Sequence, residues 1–236
     1  MRRDVLNMIL RSVRTPRAME VDIKARLAAN ERVRKRLTEL IDEVGLDFFK
    51  KACRALLDDA REEIRTRLKR LRPGKYVARS YCDTVGIRGD RLAIIQVEME
   101  ITEEGELYIK VPIVSPQLPS FNNAYLPATE ASTFYILLVQ LAYDTRWNSA
   151  ISDLVHLDVL PHSRLNADAD QSVGYATVGI AQVYTNALTE CLSRAFYCSG
   201  QKEEAVAQHN VVACGIWGGI DQHGRPCGNI LSLIHI

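Results

Sequence analysis

"DRLAIIQVEMEITEEGELYIKVPIV" (residues 90–114) carries the clearest β pattern of the chain. The second half alternates apolar with polar residues, so one face of an extended strand is wholly apolar: Leu107, Ile109, Val111 and Ile113. "TEEGE" at 102–106 supplies a turn between the two apolar runs. A similar run, "KYVARSYCDTV" at 75–85, precedes them. The three runs together predict an antiparallel β-meander.

Two long helices are expected before the meander. Apolar residues recur at three- and four-residue spacing over 17–44 and again over 47–72. Gly45 suits the end of the first helix, Asp47 is the expected N-cap of the second, and Pro73 with the glycine after it ends that helix. Residues 1–73 are therefore predicted to form a helical hairpin with a charged outer face.

Helices and short strands alternate after the meander. "VSPQLPSFNNAYLPATEAST" (114–133) is a polar, turn-rich elbow that leads into a nearly all-apolar helix at about 128–143, which should be buried. A strand at 153–161 precedes a long helix at about 172–198, with Ser172 as a possible N-cap, and a short strand with a Gly-rich turn follows. The predicted fold class is thus α+β, in which a helical hairpin is followed by a β-meander and then by buried helices with short strands. The α+β body at 74–230 is expected to be continuous with the hairpin.

The charge of the chain is unevenly distributed. The whole chain has a formal net charge of +1, but residues 1–73 hold 20 Lys+Arg and 12 Asp+Glu, a local charge of +8. This surplus has two interpretations, a nucleic-acid-binding end or solvated helices that dock on an acidic body or partner; the second is preferred, and no nucleic-acid partner is predicted. The six cysteines form no C-x-x-C pair, and the longest apolar run, 132–143, is too short to cross a bilayer. We expect a reduced, cytoplasmic protein that does not bind membranes.

The chain matches neither a phosphate-binding loop nor a common zinc module. Gly174 and Gly179 have phosphate-loop spacing, but Ile180-Ala181 stands where Lys-Ser/Thr is required. The cysteines and histidines of the last 40 residues fit no common zinc module, so no metal ligands are predicted. The histidines and loop carboxylates elsewhere are interpreted as satisfied or solvated: His156, His162, Asp168, Asp170 and Asp221. Without further information the residues predict an α+β protein of unknown function and no catalytic residue.

The order of the segments changes that interpretation. The stretch from 12 to 76 resembles the middle of the hydantoinase B/oxoprolinase family, in which a "VRTP…D…A…AA" helix is followed by a second helix, "LPDGxY" and a β-meander. "LPHSRLNADADQSVGYATVGIAQVYTNAL" (160–188) resembles the family's "PxGSxLNPxxPAxVG" passage. The matching positions include Arg14-Thr15-Pro16, Asp22, Ala28-Ala29, Pro73-Gly74, Tyr76, Pro161, Ser163, Leu165-Asn166 and Val173-Gly174. The resemblance covers nearly the whole chain.

The elbow also resembles a family turn, "DF[ST]G[ST]SPQxxGxxN". Ser115-Pro116-Gln117 and one of two asparagines match it, whereas residues 111–114 replace the usual Asp-Phe-Ser/Thr-Gly. The resemblance implies a substrate-facing loop, with these candidate polar groups: Ser115, Gln117, Asn122 and Asn123. Because it lacks that acidic residue, the elbow is more similar to the acetone/acetophenone carboxylase branch than to the 5-oxoprolinases.

The resemblance implies the C-terminal part of a catalytic subunit in an ATP-dependent hydantoinase, oxoprolinase or ketone carboxylase complex. It implies a small cyclic amide or ketone as substrate, activated by phosphorylation on a hydantoinase A-type partner that binds ATP. A divalent metal is implied in a segment upstream of this chain, and no cofactor on the chain itself. The alternative is a non-catalytic scaffold or interaction module that uses the basic helical hairpin.

The two ends of the chain carry expectations of their own. The family's metal-binding segment precedes the region that matches here, so Met1 is expected to be an internal start. "LSLIHI" at 231–236 is interpreted as a non-native tail. The sequence therefore predicts a fragment that is inactive alone and belongs to a hetero-oligomer.

Overall fold

The structure is a computed structural model that describes residues 2–83, 92–206 and 214–232. Several expectations fall outside these ranges: the predicted strand ends at 84–85 and 90–91, His209, and the last residues of the 231–236 tail. The chain divides into two compact units, one formed by 1–54 with 212–236 and the other by 55–211. The second unit contains the predicted meander and elbow.

A four-stranded sheet organises the second unit. It consists of β1 (Gly74–Cys82), β2 (Ala93–Ile101), β3 (Leu107–Val114) and β4 (Val155–Val159), in the order β1-β2-β3-β4. The first three strands are antiparallel, as predicted, and β4 pairs parallel to β3. The turn between β2 and β3 needs Gly105, because its φ is +79° and a Cβ there would lie 2.8 Å from the carbonyl oxygen of Arg65.

The core lies on one face of this sheet. Alternate residues are buried along β2 and from Leu107 to Val111 of β3, as the period-two pattern requires. Ile113, the last residue of the predicted apolar face, is 39% exposed. Two helices, α4 (Leu126–Gln140) and α5 (Ile180–Cys198), pack together, and α5 also contacts β1 and β2. The C-terminal half of α3 (Leu46–Lys69) adds Ala60, Ile64 and Leu68 to the buried set. These elements confirm the α+β class.

Helix α4 is buried less completely than its composition predicted. It buries five residues, Thr129, Thr133, Ile136, Leu137 and Gln140. Tyr135 and Val139 lie on the opposite side and are 53% and 52% exposed. The helix therefore carries more apolar surface than it buries in this chain.

The first unit contains α1 (Arg3–Arg11), α2 (Pro16–Val44), the start of α3, and an antiparallel hairpin of β5 (Cys214–Ile220) and β6 (Pro226–Ser232). Gly45, with φ +82°, is the single residue between α2 and α3. The succession of helices is as predicted, but no residue of α2 is buried. A one-residue connection is shorter than the two to five residues that usually join antiparallel helices. Much of the apolar stripe of α2 is therefore exposed.

Two predicted helix starts are wrong. Helix α3 begins at Leu46, so Asp47 lies in its first turn and is not the N-cap. Helix α5 begins at Ile180, with Gly179 as N-cap, and the residues after Ser172 form turns. The reason is tertiary, since backbone groups of the 172–179 segment bond to the elbow, which leaves them unavailable for a helix. Helix α1 was not predicted.

Candidate functional site

The elbow, defined here as residues 115–125 between β3 and α4, is joined to the facing loop, residues 160–179 between β4 and α5. Backbone hydrogen bonds link the two segments: Gln117 N to His162 O at 3.0 Å, Arg164 N to Ser115 O at 3.1 Å, and Ala124 N to Arg164 O at 2.7 Å. The facing loop thus continues the sheet edge as a short irregular ladder. These hydrogen bonds join the two segments into one surface region.

Asn123 is the centre of the elbow. Its side chain is fully buried, its Oδ1 accepts a hydrogen bond from Leu118 N at 2.8 Å, and its Nδ2 donates to Leu118 O at 2.9 Å. The same Nδ2 donates to Ser120 O and, across to the facing loop, to Ser172 O at 3.1 Å. The amide therefore replaces the hydrogen bonds that a regular strand or helix would give this backbone.

Asn122 connects the elbow to α5. Its Oδ1 accepts a hydrogen bond from Ile180 N at 3.1 Å, which satisfies one of the free amides at the start of the helix. Gly179 permits this approach, because a Cβ at that position would lie 2.4 Å from Asn122 Oδ1 and 2.6 Å from Tyr175 O. Of the two glycines with phosphate-loop spacing, Gly179 therefore serves close packing.

Ser115 fixes the beginning of the elbow to the neighbouring strand. Its backbone N donates to Ile94 O at 3.1 Å, and its Oγ accepts from Ile94 N at the same distance. The hydroxyl therefore completes the β2–β3 ladder at its end. Ser115 is half-buried, and its Oγ lies at the edge of the sheet rather than within the core.

Gln117, Asp168 and His162 form a hydrogen-bonded array at the outer side of the elbow. Gln117 Nε2 donates to Asp168 Oδ2 at 2.7 Å, while Asp168 N donates to Gln117 Oε1 at 2.9 Å. His162 Nδ1 lies 2.8 Å from Asp168 Oδ1. The hydrogen bonds from His162 and then from Gln117 hold the pKa of the Asp168 carboxyl below its usual value. The carboxylate is therefore ionised and orients the imidazole.

His162 is the member of this array that can accept a proton from a bound molecule. Its side chain is 72% exposed, and its backbone has φ 56°, which L-residues adopt at an energetic cost. A neutral imidazole that donates from Nδ1 to a carboxylate presents Nε2 as a hydrogen-bond and proton acceptor. The arrangement can accept a proton from a molecule bound at the elbow.

The four residues predicted for a substrate-facing loop are brought together in the elbow. The side chains of Asn122 and Asn123 point inward and bond to backbone groups, whereas Gln117 is half-exposed next to Asp168. Their contact with a substrate stays a prediction. Sequence reasoning left His162 and Asp168 as satisfied or solvated groups, although the "HSRLNAD" segment placed them close together.

Within the described ranges, no group of three or more His, Cys, Asp or Glu side chains is arranged to hold a metal ion. The residues present there therefore do not fit a metal. Among the same residues, none of the helices has the length and apolar character needed to cross a membrane.

Comparisons with known proteins show several similarities. The family model described as hydantoinase B/oxoprolinase matches residues 1–234. The acetophenone carboxylase delta subunit of Aromatoleum aromaticum is 29% identical over 133 residues, which cover 56% of this chain and 19% of that protein. The caprolactamase subunit beta of Pseudomonas jessenii is 27% identical over 165 residues, which cover 70% of this chain and 28% of that protein.

Two solved structures share the fold. A nucleotide-free acetone carboxylase structure superposes on 98% of this chain with a TM-score of 0.87 and 20% identity, and the match covers 32% of that chain. The ATP-dependent caprolactamase of Pseudomonas jessenii superposes on 82% with a TM-score of 0.75 and 24% identity, covering 33% of its own chain. The present chain thus spans no more than about a third of the length of these relatives.

Proposed function

The chain belongs to the hydantoinase B/oxoprolinase family, and we propose that it is part of a catalytic subunit in an ATP-dependent complex that acts on the carbonyl group of a cyclic amide or a ketone. The observation that carries this proposal is the family match over residues 1–234. The names of the relatives support it, since they are subunits of a ketone carboxylase and a lactamase. Hydrolysis and carboxylation are the two reaction types in question.

A second subunit of the hydantoinase A type is part of the proposal. That subunit would bind ATP and activate the carbonyl oxygen by phosphoryl transfer, which requires positioned phosphate-binding groups. The segment Gly174–Gly179 lacks the lysine that would reach the phosphates. We therefore assign nucleotide binding to the partner, and the assembly to a hetero-oligomer. A divalent metal, if the reaction uses one, would be held by residues other than those described.

The elbow supplies this chain's own chemical contribution. A carbonyl compound that is activated at oxygen loses a proton from carbon, or takes up water that loses a proton, and either step needs an acceptor. The imidazole of His162, oriented by Asp168, is the acceptor we assign. The polar groups of Ser115 and Gln117 lie on the same edge and would orient the substrate.

The experiment is co-expression of the tagged chain with a hydantoinase A-type ATP-binding subunit from the same organism. We expect the two to co-purify, and ATP consumption to depend on an added ketone or lactam, with acetone, acetophenone and caprolactam as probes. Purified alone, the chain should hydrolyse no ATP. ATP hydrolysis by the chain alone, or failure of the pair to associate, would contradict the proposal. His162→Gln in an active complex should lower kcat with little effect on KM, while the same change at exposed His156 should leave both unchanged.

A scaffold function is the second candidate, and the surface of α2 favours it. Five large apolar residues of this helix are more than 40% exposed: Val21, Leu27, Val33, Leu37 and Leu40. The helix lies in the region whose local charge is +8. Salt-dependent binding of the chain to a generic DNA duplex, with a steep loss between low and physiological salt, would support a nucleic-acid scaffold in place of the enzyme subunit.

A further inference from the structure

Arg164 is the only charged residue among those that the described ranges bury, and it is fully enclosed, with 0% exposure. Arginine is almost never fully buried unless it is paired. Burial lowers the pKa of the Arg164 guanidinium, but a guanidinium starts from so high a value that it stays charged at neutral pH. A full positive charge therefore lies inside the protein.

The position of Arg164 is fixed by the elbow. Its backbone N donates to Ser115 O at 3.1 Å, and its carbonyl oxygen accepts from Ala124 N at 2.7 Å. Its side-chain Nε donates to the carbonyl oxygen of Asn122 at 3.1 Å. These three bonds define both the location of the guanidinium and the orientation of its plane.

The other two nitrogens of the guanidinium are unsatisfied. Nη1 and Nη2 are buried, and neither has a hydrogen-bond partner among residues 2–83, 92–206 and 214–232. Cys82, the last residue of β1, acts electrostatically on Arg164. A thiol does not offer the two coplanar oxygens that match the guanidinium fork. A buried charge without a partner is among the costliest features a fold can carry, so this arrangement indicates a missing anion.

We propose that Arg164 binds a planar oxyanion from solution, a carboxylate or bicarbonate, through Nη1 and Nη2. Two parallel N–H···O bonds are the preferred geometry between a guanidinium and such an anion. Because Nε is already bonded to the carbonyl oxygen of Asn122, Nη1 and Nη2 at the opposite end of the guanidinium are available to the anion. The proposal stands on the geometry of Arg164 and does not depend on the reaction assigned to the family.

The enclosure of the guanidinium has a kinetic consequence. Because Arg164 has no exposed surface, an anion reaches it only when the elbow and the facing loop separate locally. Binding is therefore expected to be slower than diffusion and to require equilibration before each measurement.

The test is thermal unfolding of the chain in bicarbonate or acetate against chloride, at equal pH and ionic strength. The wild type should show a saturable rise in Tm on the order of 3 °C at about tenfold excess of anion over Kd. Arg164→Met should lose this response, and in chloride it should unfold at or above the wild-type temperature because a buried unpaired charge is gone. Arg146→Met, the same change at an exposed arginine, should keep the full response.

Two further measurements keep the proposal falsifiable if Arg164→Met does not fold. After equilibration, carbon-13-labelled bicarbonate or acetate should show a separate bound resonance with the wild type that grows to saturation, and Arg164→Lys, which keeps the charge but loses the fork, should bind the anion at least tenfold more weakly. Equal Tm shifts in wild type and Arg164→Met would overturn the proposal. So would a wild type whose Tm responds to neither anion; if Arg164→Met is then strongly destabilised in chloride, a carboxylate of the protein itself is the partner.

Discussion

His162 Nδ1 and Asp168 Oδ1 lie 2.8 Å apart, and the histidine reaches this position through a left-handed backbone conformation with φ 56°. The contact closes a loop of only a few residues at the outer side of the elbow. Gln117 holds the carboxylate from the other side at 2.7 Å. An exposed imidazole is thus given a fixed orientation, which an unassisted surface histidine does not have.

Asp168→Asn should change how stability depends on pH. The hydrogen bonds from His162 and Gln117 lower the pKa of Asp168 in the folded state. The stabilisation from this carboxylate is therefore present above its unfolded pKa and is lost as the pH falls through the lower folded value. Urea unfolding measured from about pH 6 to about pH 2.5 should show the free energy of unfolding of the wild type falling toward that of the variant at low pH. For Asp170→Asn, at an exposed neighbour, the free energy of unfolding should depend on pH as it does in the wild type. A difference between Asp168→Asn and the wild type that stays constant with pH would contradict the stabilising role of the Asp168 carboxylate.

Asn123→Ala should be strongly destabilising. The change removes the bonds to Leu118, Ser120 and Ser172, and it takes away the partners of their backbone groups in a partly buried region. We expect a loss of about 2–4 kcal/mol in the free energy of unfolding, measured by urea denaturation. Asn123→Asp retains the acceptor for Leu118 N but not the donors, so its loss should be similar or larger. A loss below about 0.5 kcal/mol would mean that the elbow does not depend on this amide.

Gly179→Ala and Gly174→Ala form a matched pair. A Cβ at Gly179 would lie 2.4 Å from Asn122 Oδ1, whereas one at Gly174 would meet only Phe121 Cβ at 3.8 Å. Overpacking at the first position should cost about 1–3 kcal/mol, and the second should be neutral within about 0.5 kcal/mol. Thermal unfolding of the two variants measures the difference. Equal Tm values would show that the start of α5 is not packed against the elbow.

Cys191 should resist alkylation in the native protein. It is fully buried on α5, and burial raises the pKa of its thiol to about 12. The thiolate, which is the reactive form, is therefore scarce at pH 8. Iodoacetamide followed by peptide mass spectrometry should modify exposed Cys53 and Cys198 first, and Cys191 only in urea. Modification of all three at one rate would show that α5 opens readily.

The parts of the fold with strict periodicity were predictable. The meander followed from alternation in β2 and β3, because a buried sheet face imposes that pattern. The helix at 17–44 followed from its three- and four-residue spacing, although no residue of α2 is buried in this structure. The start of α5 was not predictable from local sequence. Among the residues that precede it, Ser172 O accepts from Asn123 Nδ2 and Tyr175 N donates to Phe121 O, and both partners lie in a distant segment.

The candidate site was predictable only in outline. The elbow could be located by its prolines and asparagines, since these residues favour turns for local reasons. The pairing of His162 with Asp168 could not, because loop residues have no period that reveals a contact. Arg164 was the hardest case, since a charged residue in a turn-rich segment is expected in solvent, whereas here the elbow covers it completely.

The parallel pairing of β3 with β4 also sets an order of folding events. Contacts between β1, β2 and β3 are local, so the meander can form early, but pairing Leu107 with Val155 must close a chain segment that contains the elbow and α4. The hydrogen bonds between the elbow and the facing loop close the same long chain segment. We therefore expect the elbow to be the last part of this unit to fold, and its amide hydrogens to exchange with solvent before those of the meander.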